Sequence, residues 1–189
     1  MSKLKYLWQT LLHFKEMGTV IPSSDAMCRK MTDFIDWEQD KVIVELGAGD
    51  GVITKHILSR IAPDAVLFAF EINPDLCKII SKINDPRLIL VNADAQTMEQ
   101  HLNAHGYDHA DHIISAIPFL NIPEEITTQI LNKSQQILKD QGLFIQMHYA
   151  KTITHLYRQV FDEVHIDYVP VNIPPGYVFK CKNLTLKSH

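Results

Sequence analysis

The run Lys41-Val-Ile-Val-Glu45-Leu-Gly47-Ala-Gly49-Asp50-Gly51-Val52 sets an apolar segment directly against three alternating glycines. Its first half reads as a short buried strand, and Val52–Ile61 carries helical spacing. Glycines at such a junction let the backbone turn tightly and approach a ligand, which then faces the N–H groups of the helix. Val66–Phe70 reads as a second strand and ends on Glu71, twenty residues past Gly51 and placed to accept from ribose hydroxyls. Together these features point to an adenosine-containing cofactor. Val52 stands where a dinucleotide fingerprint has its third glycine, so NAD or FAD ranks behind other adenosine ligands. A glycine turn with no ligand is the bland alternative.

Outward from this junction the pattern repeats. Pro74 suits the first turn of a helix running to about Ile83. Arg87–Val91 reads as a strand, Gln96–Asn103 as a short helix and Ile113–Ile117 as a strand. A long helix follows from Pro123 to about Lys139, then a strand at Leu143–Tyr149 and a helix near Thr152–Phe161. Two late strands flank the turn-rich segment Pro170–Gly176. Alternation of this kind predicts an α/β, Rossmann-like fold with a seven-stranded, mostly parallel sheet. The short link between the last two strands predicts an antiparallel pair at the edge.

The chain has 189 residues and a net charge of −4, which disfavours a dedicated nucleic-acid grip. DNA is not an expected partner. Three scattered cysteines, Cys28, Cys77 and Cys181, argue for a reducing, cytoplasmic setting. His101, His105, His109 and His112 cluster with Asp108 and Asp111, but the pattern reads as a polar surface loop and no metal is expected.

The glycine motif, with Glu45 before it, resembles the first motif of S-adenosylmethionine-dependent methyltransferases. More closely, the chain resembles bacterial phospholipid N-methyltransferases, relatives of the rRNA adenine dimethylases. Gly18-Thr-Val-Ile-Pro22-Ser23-Ser24, Ser115-Ala-Ile-Pro-Phe119, Gln146-Met-His-Tyr149 and Asn172-Ile-Pro-Pro175 carry that likeness. It implies S-adenosylmethionine as cofactor, S-adenosylhomocysteine as product, and phosphatidylethanolamine with its methylated intermediates as substrate. It implies cofactor contacts from Glu45, Gly47, Ala48, Gly49, Gly51, Glu71, Ile72, Asp94 and Ala95. Substrate contacts are expected from Ile117, Pro118, Ser23 and Ser24, and catalytic roles from Tyr149 and Ser115. Asp50 departs from the Thr common in relatives and is placed to cap the following helix. Adenine dimethylases carry an Asn at the fourth strand, where this chain has Ser115-Ala116. RNA adenine methylation therefore ranks second, and a non-catalytic S-adenosylmethionine-binding protein is the alternative of a different class.

Residues 1–24 are read as an amphipathic helix and lid segment, with the methyltransferase domain over 25–189. Leu4, Leu7, Trp8, Leu11, Leu12 and Phe14 form one stripe, with Lys3 and Lys5 at its borders. Lys5 and Trp8 are the expected contacts to an anionic membrane surface, placing the protein peripherally on the inner face of the membrane.

Overall fold

The computed structural model describes residues 24–183. The expected helix over 3–16, with Lys5 and Trp8, and Ser23 lie outside them.

Val66-Leu-Phe-Ala-Phe70 has no polar side chain to show to water, and it forms a strand buried on both faces. The same holds for Val42–Leu46 apart from Glu45. These are β2 and β1 of a seven-stranded sheet ordered β3-β2-β1-β4-β5-β7-β6. The others are β3 (Leu88–Val91), β4 (Ala110–Ser115), β5 (Leu138–His148), β6 (Glu163–Val169) and β7 (Gly176–Lys182). The first five strands run parallel, and β7 lies antiparallel between β5 and the edge strand β6. The fold is thus the expected Rossmann-like one, with the antiparallel pair closing one edge.

Among the described residues, six α-helices sandwich the sheet: α1 (Asp25–Thr32), α2 (Val52–Leu58), α3 (Pro74–Ile80), α4 (Met98–Ala104), α5 (Glu124–Ile137) and α6 (Thr154–Val160). One face packs Val44, Phe68, Ile113 and Phe144 against Met98, Ile130 and Tyr157. The opposite face packs Ile43, Leu67, Ile114 and Ile145 against Met27, Met31, Ile53 and Ile57.

Several boundaries differ from the sequence expectations. Helix α1 has no counterpart among them. Ser24 caps it by accepting from the Met27 N–H at 3.2 Å, and Asp25 sits in its first turn. Helix α5 ends at Ile137, and β5 begins at once with Leu138 beside Ala110. Asp50 does not cap α2: the cap position is Gly51, at φ +84° and without a side-chain bond.

The reading of Asp111 and His112 as surface loop is also corrected, because β4 starts at Ala110 and buries both. The Asp111 carboxylate accepts from the Lys41 and Val42 N–H groups at 2.6 and 2.7 Å and pairs with Lys139. Leu143 N–H donates to His112 Nδ1 at 3.1 Å, so Nε2 carries the proton and donates to Asp40 at 2.9 Å. These bonds tie together β1, β4 and β5 at the end remote from the glycine loop. Among the described residues, no group of three or more His, Cys, Asp or Glu side chains is arranged to hold a metal.

Candidate active site

Strand order reverses between β1 and β4, and in open α/β sheets ligands bind at the carboxyl ends of the strands beside such a point. The motif segments meet there. Gly47, Gly49 and Gly51 all have left-handed φ, +75°, +61° and +84°. At Gly47 a side chain would meet the Ile117 side chain at 3.1 Å and its amide nitrogen at 3.2 Å, so the first loop packs directly on the segment after β4. At Gly49 the nearest atom to an added Cβ is the Gly47 carbonyl oxygen at 4.0 Å, and the backbone lies open.

Glu71 clamps this loop. Its Oε2 accepts from the Gly49 N–H and its Oε1 from the Asn73 N–H, each at 2.8 Å. Burial pushes its pKa up, opposed by the hydrogen bonds from Asn73 and Gly49. Ile72, beside it, is half-buried. The Asn92 amide donates to the Glu71 carbonyl at 2.9 Å and joins the loop after β3 to the site. Asp94, in that loop, caps a short 3-10 turn by accepting from the Gln96 N–H at 2.9 Å, and Ala95 is buried behind it.

Across the switch point, Ser115 is fully buried at the end of β4, and its hydroxyl accepts from the Ile117 N–H at 3.3 Å. Ile117 and Pro118 are half-buried. Gln146, opposite Ser115 on β5, donates its amide hydrogens to the Ile117 carbonyl at 3.0 Å and the Met147 carbonyl at 2.7 Å. Tyr149 stands one residue past β5 and is 40% exposed, so its ring is not part of the core. Ser24 lies farther along the sheet, bonded to Asn172 rather than to these loops.

Glu45 is the most unusual group. It is wholly buried, its Oε2 accepts from the Thr54 hydroxyl at 2.6 Å, and its Oε1 has no partner. Burial pushes its pKa up to about 8, despite the Thr54 bond and helped by the nearby Glu71. A buried acceptor without a donor is costly and marks a place where a ligand's donor belongs. Spacing along the sequence picks out Glu71 and the glycines, and the resemblance picks out Glu45. Neither assigns a role to Gln146, Asn92 or Thr54, which bond to the Ile117 carbonyl, the Glu71 carbonyl and the Glu45 carboxylate, each distant in sequence.

These features fit S-adenosylmethionine: open backbone at Gly49, spare lone pairs on Glu71, and an unsatisfied carboxylate oxygen suited to an ammonium. Residues 19–179 match the ribosomal RNA adenine dimethylase family. The chain is 30% identical over 182 residues to ornithine lipid N-methyltransferase of Singulisphaera acidiphila, covering 95% of each. It is 32% identical over 112 residues to ribosomal RNA small subunit methyltransferase A of Mycoplasma capricolum, spanning 59% of this chain and 40% of that protein. Aeropyrum pernix fibrillarin, solved with natively bound S-adenosyl-L-methionine, shares the fold: TM-score 0.62 at 16% identity, covering 82% of this chain and 72% of that one. The chain belongs to the ribosomal RNA adenine dimethylase family and is an S-adenosylmethionine-dependent methyltransferase.

Proposed function

We propose that this methyltransferase acts on the amine of a membrane lipid, phosphatidylethanolamine and its partly methylated products. The observation that carries the reading is the match over 95% of both chains to a lipid N-methyltransferase, whereas the rRNA enzyme is matched over 40% of its length. Ala116 supports it, because its side chain has no polar atom to hold the amino group of a base.

When bound, S-adenosylmethionine supplies an electrophilic methyl group carried on a sulfonium. Glu45 would hold the ammonium of its amino-acid end, the Gly47–Gly51 backbone would lie along it, and Glu71 would accept from the ribose. Asp94 and Ala95 would meet the adenine. The lipid amine must arrive as a free base; at an amine pKa of about 10.4, neutralising it at pH 7 costs about 4–5 kcal/mol. Ile117, Pro118 and the buried Phe119 offer apolar surroundings that disfavour the ammonium and reduce this cost. Tyr149 would orient the head group through its hydroxyl or ring face. Ser115 acts from behind, by fixing Ile117 N–H, and Gln146 fixes the Ile117 carbonyl; both are positioning residues.

The Singulisphaera relative favours a second reading within the same chemistry, methylation of the ornithine lipid amine. The test offers the full chain labelled S-adenosylmethionine with phosphatidylethanolamine vesicles, ornithine lipid vesicles and protein-free ribosomal RNA. Label on phosphatidylethanolamine supports the proposal. Label on ornithine lipid alone selects the second reading, and label on RNA alone rejects both.

A further inference from the structure

Tyr149 and Lys151 leave β5 at the same end of the sheet where residues 168–177 join β6 to β7, since His148 and Tyr168 both pair with Tyr177. This is also the end that carries the candidate active site: Ser115 pairs with Gln146, two residues before His148. Here apolar side chains stand outward. Val171 is 69% exposed, Ile173 77%, Tyr168 56% and Tyr149 40%. A single exposed apolar residue is ordinary, but four large ones on two adjoining segments need a reason.

The loop is built to present them. Between Val171 and Ile173, Asn172 is buried, its Oδ1 accepting from the Ser24 hydroxyl at 2.7 Å and N–H at 3.3 Å. Its amide donates to the Pro174 carbonyl at 2.7 Å. Position 172 is thereby tethered inward while its neighbours project. Pro170, Pro174 and Pro175 restrict the backbone around it. Lys151 Nζ lies 4.8 Å from the Tyr177 ring centre, and the Tyr168 and Tyr177 ring centres are 5.3 Å apart with their planes tilted by 40°. Neither 149–152 nor 168–177 contains an Asp or Glu.

We propose that the Pro170–Pro175 loop is a membrane-docking element that seats Val171 and Ile173 in the interface of a bilayer containing anionic phospholipid. This rests on the lipid reading of the active site. Projecting aliphatic tips flanked by tyrosines and Lys151, on segments that carry no Asp or Glu of their own, complement an anionic lipid surface; the adjoining Asp167 is paired with Lys30 and Lys180. A lipid substrate stays in its bilayer, so the site must be brought to the head-group plane, and this loop borders the site at that end.

The test compares the full chain with its Val171→Asp/Ile173→Asp variant in sedimentation with mixed phosphatidylethanolamine–phosphatidylglycerol vesicles. Methylation of a short-chain phosphatidylethanolamine below its micelle concentration, and S-adenosylhomocysteine affinity, are measured alongside. The proposal expects vesicle partitioning to fall roughly tenfold or more, with monomeric-lipid turnover and ligand affinity unchanged. Equal sedimentation of variant and parent overturns it, and so does a parent dimer that the variant dissociates, which would make the loop an interface between copies. If the parent methylates neither lipid form while its vesicle binding still requires Val171 and Ile173, the substrate reading fails and the docking surface stands.

Discussion

Replacing Glu45 with Gln probes the link between the buried carboxylate and cofactor binding. The group is wholly buried, and its pKa near 8 instead of 4.5 means that ionising it there costs up to about 5 kcal/mol more than in water. A ligand ammonium at the unpartnered Oε1 favours the ionised form, so uptake should expel the Glu45 proton. Below about pH 8 the parent's affinity should then drop by up to tenfold per pH unit, or about 50-fold from pH 8 to pH 6. Gln cannot titrate. The ratio of variant to parent dissociation constants should therefore shrink toward acid pH, and any titration of the ligand itself cancels from it. Calorimetry with S-adenosylhomocysteine at pH 6, 7 and 8, in buffers of different ionisation enthalpy, measures both the ratio and the protons released. A constant ratio with no proton release by the parent refutes the reasoning. The same group shapes the stability of the ligand-free protein: a carboxyl with a raised folded pKa contributes stability that is complete below pH 4.5 and is lost as pH rises through about 8. The variant's stability should fall less over that range.

His148 is buried against the Tyr157 hydroxyl at 2.7 Å, and burial lowers its pKa to about 4; its stabilising contribution, up to about 3 kcal/mol, is complete above pH 6.5 and is lost as pH falls through 4. The thermal midpoint should drop over that window, and His148→Phe should make the drop shallower. Gly142→Ala should destabilise by several kcal/mol in denaturant unfolding, because its Cβ would lie 2.7 Å from the Asp111 carbonyl oxygen. Gly49→Ala meets open space and should cost only about 1–2 kcal/mol for its left-handed φ, yet weaken S-adenosylhomocysteine binding. Gln146→Leu should lower kcat more than it weakens cofactor affinity, since it frees the Ile117 carbonyl and reaches the glycine loop only through Ile117; equal losses in both would make its role merely structural.

The parts legible in the sequence were those encoded locally. Residues 66–70 are apolar throughout, so both ends of β2 could be read directly, and the glycines and Glu71 announce themselves by spacing along one βαβ unit. Asp111 and His112 look solvated from the sequence, as a polar pair next to a histidine-rich turn, yet β4 buries both. Their burial is compensated by Asp40, Lys41, Lys139 and Leu143, all on other segments. Ser24 and Asn172 both lie in motifs that carry the resemblance, but their bond spans 148 positions and no local pattern encodes it. Glu45 was read as a motif residue. That one of its oxygens lacks a partner follows only from the packing around it.

Mass spectrometry of phosphatidylethanolamine recovered after incubation with the full chain and S-adenosylmethionine tests the central claim most directly. The account predicts methyl groups on the head-group nitrogen, absent when Glu71→Ala or Gly49→Ala protein is used. Unmodified lipid beside methylated adenine in ribosomal RNA from the same reaction would contradict it.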